Sequence, residues 1–280
     1  MKKILVGLII LAFSSYLYAD GGEIRPATKA EKVFTRAVIE TISGAVPESF
    51  AGFDRRDATE PYEPEDMGVG IEKWPLNVGF YGSWVNDELE LEANEKMQQI
   101  ADTVTGDIST SPKMQTLMKK KDEIAAKMEQ AAKKNDLDAI GRLAQELEAV
   151  AKEINKGYAP AVNATPSEDY YKVHAGIQVN ALTDEYSESL VKEISPVKGY
   201  KTFYYHDTEE GENKRTDRVI IFMGDWSSSI DNGAYIFKLN KKNLPHTTVQ
   251  SYVITVEGKK EYTQKLIASL NWEKLKSILK

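Results

Sequence analysis

Cysteine is absent from all 280 residues. That absence excludes thiol nucleophiles, thiolate metal sites, disulfides and a lipid-modified cysteine, so stability has to come from a buried core. Histidine is scarce as well, with three residues at His174, His206 and His246. No two stand at ligand spacing and there is no His-Glu-x-x-His, so no transition-metal site is expected. Also missing are Gly-x-Ser-x-Gly, the phosphate-cradling Gly-x-x-x-x-Gly-Lys, and Gly-x-Gly-x-x-Gly after a strand. An enzyme would find here no nucleophile motif and no cofactor loop, and no cofactor is expected. Nothing repeats at a fixed period and no tract is of low complexity.

One long apolar run is present, over residues 4–17, preceded by Lys2 and Lys3 and followed by Tyr18, Ala19 and Asp20. This is the charged, apolar and cleavage-site layout of a secretory signal peptide, and the run is shorter than the ~20 residues of a transmembrane helix. Cleavage after Ala19 is expected, leaving a periplasmic or secreted chain with no transmembrane span. The whole chain carries a formal charge of −7, and loss of the two leader lysines makes the remainder more acidic still. Such a balance disfavours nucleic acid and anionic membrane surfaces as partners.

Thr28 followed by Glu31 has capping-box spacing, and Ala30, Val33, Phe34, Ala37, Val38 and Ile42 then form one apolar face up to Ser43 and Gly44, which predicts a helix marked at both ends. Strands are expected at 69–74 and 78–84, joined by Pro75, Leu76 and Asn77, with the acidic, proline-containing stretch 60–66 as a loop. Residues 86–157 then read as helix. A first helix is expected to stop at Gly106, a second to start at Ser111 and Pro112 and close at Lys134, and a third to open at Asp136 and end at Gly157 and Pro160. The second and third carry apolar stripes (Met114, Leu117, Ile124, Met128, Ala131; then Leu137, Ile140, Ala144, Leu147, Ala151, Ile154) at the three-and-four spacing of an antiparallel hairpin. The second has seven lysines against three acids. The first is strongly acidic, so the hairpin is expected to pack on the Leu89, Met97 and Ile100 face of the first helix or to bind a partner helix there.

Beyond Thr165 the period falls to two: Val173, Ala175, Ile177, Val179 and Ala181 alternate with His174, Gly176, Gln178 and Asn180, a strand buried on one face. Further strands are expected at 200–205, 218–223, 233–239 and 248–256, and then amphipathic helix through Tyr262, Leu266, Ile267, Leu270, Leu275 and Leu279. Consecutive strands without intervening helices point to antiparallel pairing. The expected fold is therefore α+β, mainly an antiparallel sheet covered by N- and C-terminal helices, with an inserted helical hairpin. In domain terms, residues 20–85 and 158–280 form the sheet and 86–157 the insertion, the alternative being two domains divided near Gly157.

Candidate sites are few. His174, Gln178 and Asn180 project from one side of their strand and are candidates to line a ligand groove. Lys119, Lys120 and Lys127 on the second helix are candidates for binding a protein partner in the cell envelope. His174 or His206 would serve a hydrolase, and His206 with Asp207, Glu209, Glu210 and Glu212 could hold a cation loosely. Ser-x-x-Lys spacing occurs at Ser189/Lys192 and Ser195/Lys198 without the Ser-Asp-Asn or Lys-Thr-Gly that accompany it in acyl-transferring enzymes. Trp74, Tyr81, Trp84, Trp226 and Tyr235 are either an aromatic platform or core. The functional expectation is a non-catalytic exported protein that binds a protein partner or small ligand through the helical insertion or a sheet face. A hydrolase and a structural envelope factor are the alternatives.

Overall fold

Strict alternation of small and branched apolar residues over 173–179 leaves a strand one choice of buried face, and the computed structural model has it so: Val173, Ala175, Ile177 and Val179 are buried. The structure describes residues 23–164, 166–208 and 215–280, and the leader stretch 1–19 lies outside them.

The chain opens with β1 (Ile24–Pro26), α1 (Lys29–Ser43), β2 (Ser49–Phe50), β3 (Phe53–Ala58), β4 (Asp66–Gly68) and β5 (Val78–Val85). Three long helices follow, α2 (Asp87–Thr110), α3 (Pro112–Lys133) and α4 (Leu137–Ala164). Then come β6 (Lys172–Val179), β7 (Thr183–Ser187), β8 (Val191–Val197), β9 (Tyr200–Thr208), β10 (Arg215–Gly224), β11 (Trp226–Asp231), β12 (Ala234–Leu239) and β13 (Ser251–Glu257), and last α5 (Lys260–Ser269) and α6 (Trp272–Ile278). The fold is α+β with a mainly antiparallel sheet. Contacts divide it into two compact units, one running to Asn86 and resuming at Lys172, the other spanning Asp87–Tyr171. Among the described residues no helix is long and apolar enough to cross a membrane.

The first unit is built on an eight-stranded sheet in the order β2-β3-β5-β6-β13-β10-β9-β8. Register sets its chemistry. One row across six strands reads Phe80, Ile177, Ile254, Ile221, Thr202, Ile194, and the next reads Gly82, Ala175, Val256, Val219, Tyr204, Lys192. Both rows are apolar through the centre; the first is broken only by Thr202, and the second turns polar towards the β8 edge at Tyr204 and Lys192. On this side lie the buried Val38, Ile39 and Ile42 of α1, Leu266 and Ile267 of α5, and Trp272 and Leu275 of α6. The Tyr252 hydroxyl donates to the Leu275 carbonyl at 3.1 Å, joining sheet to helix. On the opposite side Phe203, Ile220, Phe222 and Val253 pack against Trp226 and Phe237 of a three-stranded sheet, β11-β12-β7, with Phe222 and Phe237 stacked 4.2 Å apart.

Capping fixes α1 as expected: the Thr28 side chain accepts from Glu31 N, and the Glu31 carboxylate accepts from Thr28 N. The strand expected at 69–74 is displaced. Pairing ends at Gly68, Gly70 takes φ 86°, and Ile71–Lys73 form a 3-10 turn, because the left-handed glycine reverses the chain before a strand can continue.

The helical unit departs from expectation at both glycines. Helix α2 runs through Gly106 to Thr110, and α4 runs through Gly157 and Pro160 to Ala164. A Cβ on Gly157 would meet the Met114 sulfur at an ordinary contact distance of 3.4 Å, so this glycine sits inside α4 beside the start of α3 rather than ending its own helix. The seam keeps Ile140, Leu147, Ala151 and Ile154 of the expected stripe, all half-buried, and changes at its margins. Leu137, 78% exposed, and Ala144 lie outside it, while Leu143 and Val150 join it, their larger surfaces withdrawn from water where α4 packs on α3. Helix α2 packs on both hairpin helices, with Ala93 buried and Leu89, Met97 and Ile100 half-buried.

Candidate functional site

His174 sits on the face of β6 opposite the buried row, half-buried, with its Nδ1 hydrogen-bonded to the Tyr81 hydroxyl and its ring stacked on that of Tyr81. Burial, reinforced by Lys172, lowers its pKa to about 4, against an opposing pull from Asp57. The ring is therefore neutral at pH 7. Gln178 lies exposed on the same face. Asn180 does not join them. It follows the end of β6 at φ 58° and is wholly buried. Its amide donates to the carbonyls of Leu76 and Thr248 at 3.0 Å, and its oxygen accepts from Gln250 N at 2.7 Å and Ser251 N at 3.3 Å. The left-handed backbone turns the side chain out of the β alternation, and Asn180 serves as a structural pin, not a groove residue.

His206 Nδ1 is 2.6 Å from Asp217, a carboxylate that also takes a hydrogen bond from the Tyr204 hydroxyl. Glu209, Glu210 and Glu212, proposed to accompany His206, lie outside the described residues, as does the side chain of Asp207. Among the described residues no three His, Asp or Glu side chains stand close enough to hold a metal. His246 is bonded to Glu31 at 3.0 Å. The five aromatic residues do not form one platform: Trp84 is buried on the helix-covered face, Trp226 and Tyr235 belong to the cluster on the other face, and Trp74 is exposed beneath the Lys241 ammonium. Lys119, Lys120 and Lys127 are exposed on α3, and Lys120 pairs with Glu146 of α4 at 3.1 Å.

The structure draws attention instead to the β8 edge. Past the buried rows, the sheet and α5 diverge around a cavity of about 800 Å³. Its sheet wall is Lys192, Ile194, Ser195 and Val197 of β8 with Tyr204 and Val219 behind them, and its helix wall is Lys260, Gln264, Ile267 and Ala268 with Trp272 at the foot. Local sequence explains the shape. Pairing of β8 with β9 slips between Ile194 and Val197, where Pro196 offers no N–H, and Val197 N donates to Thr202 Oγ1 at 3.0 Å instead. Lys198 and Gly199, at φ 51° and 86°, then close the hairpin and put Lys198 at the rim.

Both sets of lining groups are presented rather than spent. The Trp272 indole N–H donates to the Ile267 carbonyl at 3.2 Å, so its polar edge is satisfied and its ring stays apolar. Tyr204 keeps its proton, its pKa raised by burial and then by Asp217. Lys192, Lys198 and Lys260 line the cavity with no carboxylate among its walls, and none of the three forms an ion pair among the described residues. Ser195 and Lys198, one of the two Ser-x-x-Lys pairs, both line it. They sit on a strand and a turn with no hydrogen bond between them, and the spacing does not create a nucleophile and base here. A pocket with apolar walls, a few neutral hydrogen-bonding groups and a cationic rim is equipped to hold a small molecule. Sequence reading missed it because its walls come from three stretches far apart in the chain. The clue available was the pair of lysines flanking Pro196.

No family model matches this chain, and no curated protein or solved structure resembles it at a meaningful level.

Proposed function

We propose that this is an exported, non-catalytic binding protein whose small-molecule ligand occupies the cavity between β8, β9 and α5. The observation that carries the reading is an open volume of about 800 Å³ beside β8, β9 and α5 whose lining combines Ile194, Val197, Val219, Ile267, Ala268 and Trp272 with three lysines. Apolar groups around unfilled space forgo the packing that a close-packed interior supplies, and a ligand restores it. The volume falls within the ~300–1,000 Å³ of small-molecule sites. In this reading Lys192, Lys198, Lys260 and Tyr204 hold a ligand by charge and hydrogen bonding. Export rests on the charged and apolar layout of residues 1–19.

A thermal-shift panel of envelope metabolites and amphiphiles, run on the wild-type protein and on Ala268→Trp, tests the reading. Ala268 is exposed at the cavity wall, so the indole fills space without displacing core. A ligand at a hundred times its dissociation constant adds about 2.7 kcal/mol of stability. The expected result is stabilisation by one chemical class that Ala268→Trp abolishes. Stabilisation that survives Ala268→Trp places the ligand elsewhere and contradicts the proposal.

A further inference from the structure

We infer that the ligand of this cavity is a single-chain amphipathic anion, a fatty acid whose carboxylate lies among Lys192, Lys198 and Lys260 and whose alkyl chain lies against Val219, Ile267 and Trp272. The inference rests on the reading of the cavity as a small-molecule site and adds the chemistry of what fills it.

Charge is the first argument. In a chain of net charge −7, three lysines line one cavity with no aspartate or glutamate beside them among the described lining residues. Some lysines elsewhere have carboxylate partners, as in Lys96–Glu92 and Lys120–Glu146, and others such as Lys119 and Lys127 stand singly on the surface among the described residues; what sets these three apart is that they share one cavity. Lys192, Lys198 and Lys260 have none among the described residues, and an anionic ligand supplies what the protein withholds. The walls are the second argument. Beside the lysines the lining is mainly hydrocarbon, from Ile194, Val197, Val219, Ile267, Ala268 and Trp272, with Ser195, Tyr204 and Gln264 as neutral polar groups, and the polar edge of the Trp272 ring is already bonded to Ile267. A ligand that satisfies both levels carries its charge at one end. Size and donor type narrow the class further. At ~30 Å³ for a water-sized group, the cavity holds on the order of 25 non-hydrogen atoms, enough for a single-chain acid and too few for a two-chain phospholipid. Among the described lining residues there is no arginine, so the anionic end is held by ammonium point charges on flexible stems and not by a planar fork, and the single chain is what the volume selects.

Calorimetric titration with decanoate, 1-decanol, acetate and inorganic phosphate tests this on the wild-type protein, on Ala268→Trp and on Lys192→Gln/Lys198→Gln/Lys260→Gln. The three lysines are exposed, so the triple variant keeps its fold, and its tryptophan fluorescence provides the check. Decanoate is expected to bind, with affinity lowered about tenfold or more by the triple variant and by added salt. Acetate and phosphate are expected to bind far more weakly than decanoate, for want of a chain. If 1-decanol binds as tightly as decanoate and the triple variant loses nothing, the anion inference falls while the cavity still stands as a small-molecule site. If phosphate or acetate matches decanoate, the amphiphile falls. If decanoate binding ignores Ala268→Trp, or nothing binds, the cavity reading falls with it.

Discussion

Replacing Glu31 is the perturbation with the most definite expected cost. Its side chain is fully buried yet ionised. It accepts from Arg25 Nη1 and Nη2 at 2.9 and 2.6 Å, from Thr28 N and Oγ1 at 2.7 and 2.9 Å, and is paired with His246 Nε2 at 3.0 Å. The Arg25 hydrogen bonds are the largest reason its carboxyl is held well below the usual range, ahead of the opposing cost of burial. Glu31→Ala leaves a guanidinium, an N–H and an imidazole without their acceptor. Removing one partner of a buried pair costs ~3–5 kcal/mol, and the lower end applies because Arg25 keeps 27% of its side chain in water. Glu31→Gln retains the shape and one acceptor oxygen, so a smaller loss is expected. A depressed folded-state pKa contributes stability that is present above the unfolded value, about 4.3, and lost as pH falls below it. The gap between wild type and Glu31→Gln should therefore be full at pH 7 and shrink on descending from about pH 5. All four tryptophans, at 74, 84, 226 and 272, lie in the sheet unit, so urea unfolding followed by tryptophan fluorescence reports that unit alone. A Glu31→Ala protein within about 1 kcal/mol of wild type at pH 7, or a gap unchanged between pH 7 and pH 3, would refute the reasoning.

Asn180→Ala removes four hydrogen bonds to buried backbone and strains a left-handed residue, and a loss of about 3 kcal/mol is expected in the same urea assay. His174, neutral when folded, should titrate near pH 4 by NMR; because the unfolded chain takes up the proton first, its contribution to stability declines as pH drops below about 6.5 and levels off below about 4, a dependence that His174→Gln should remove. Gly157→Ala should raise the helical melting transition by an amount equivalent to about 0.5–1 kcal/mol, since the added methyl meets only a flexible methionine; a loss would show that α3 and α4 approach more closely than the Met114 contact implies.

What the sequence made legible was whatever a local pattern controls. The capping box at Thr28 and Glu31, the alternation along β6 and the Ser111–Pro112 start of α3 each act within a few residues and survive in the fold. Strands β3, β7, β8 and β11 were illegible because Phe53–Ala58, Thr183–Ser187, Val191–Val197 and Trp226–Asp231 are rich in polar residues and lie at or near sheet margins; even β7, which alternates in burial, turns Asp184 and Tyr186 inward and so shows no apolar alternation. Glycine misled twice, since at Gly106 and Gly157 the neighbouring helical residues outweigh one poor helix former. Asn180 read as a groove residue because its parity matches His174, and only its left-handed backbone breaks that parity. Of the cavity only the lysines on either side of Pro196 left a trace in the sequence. Lysines 192, 198 and 260 look like ordinary surface charge until register sets Lys192 beside Tyr204 and Tyr204 beside Val219.

Photo-crosslinking with a diazirine-bearing decanoate, followed by peptide mapping, tests most directly whether the cavity at the β8 edge is where this protein holds its ligand. The account predicts that label concentrates on peptides containing Ile194, Val219 and residues 264–272, competes away with unlabelled decanoate, and disappears in Ala268→Trp. Label gathered on Asp87–Tyr171, or spread over the sheet unit unchanged by Ala268→Trp, would contradict it.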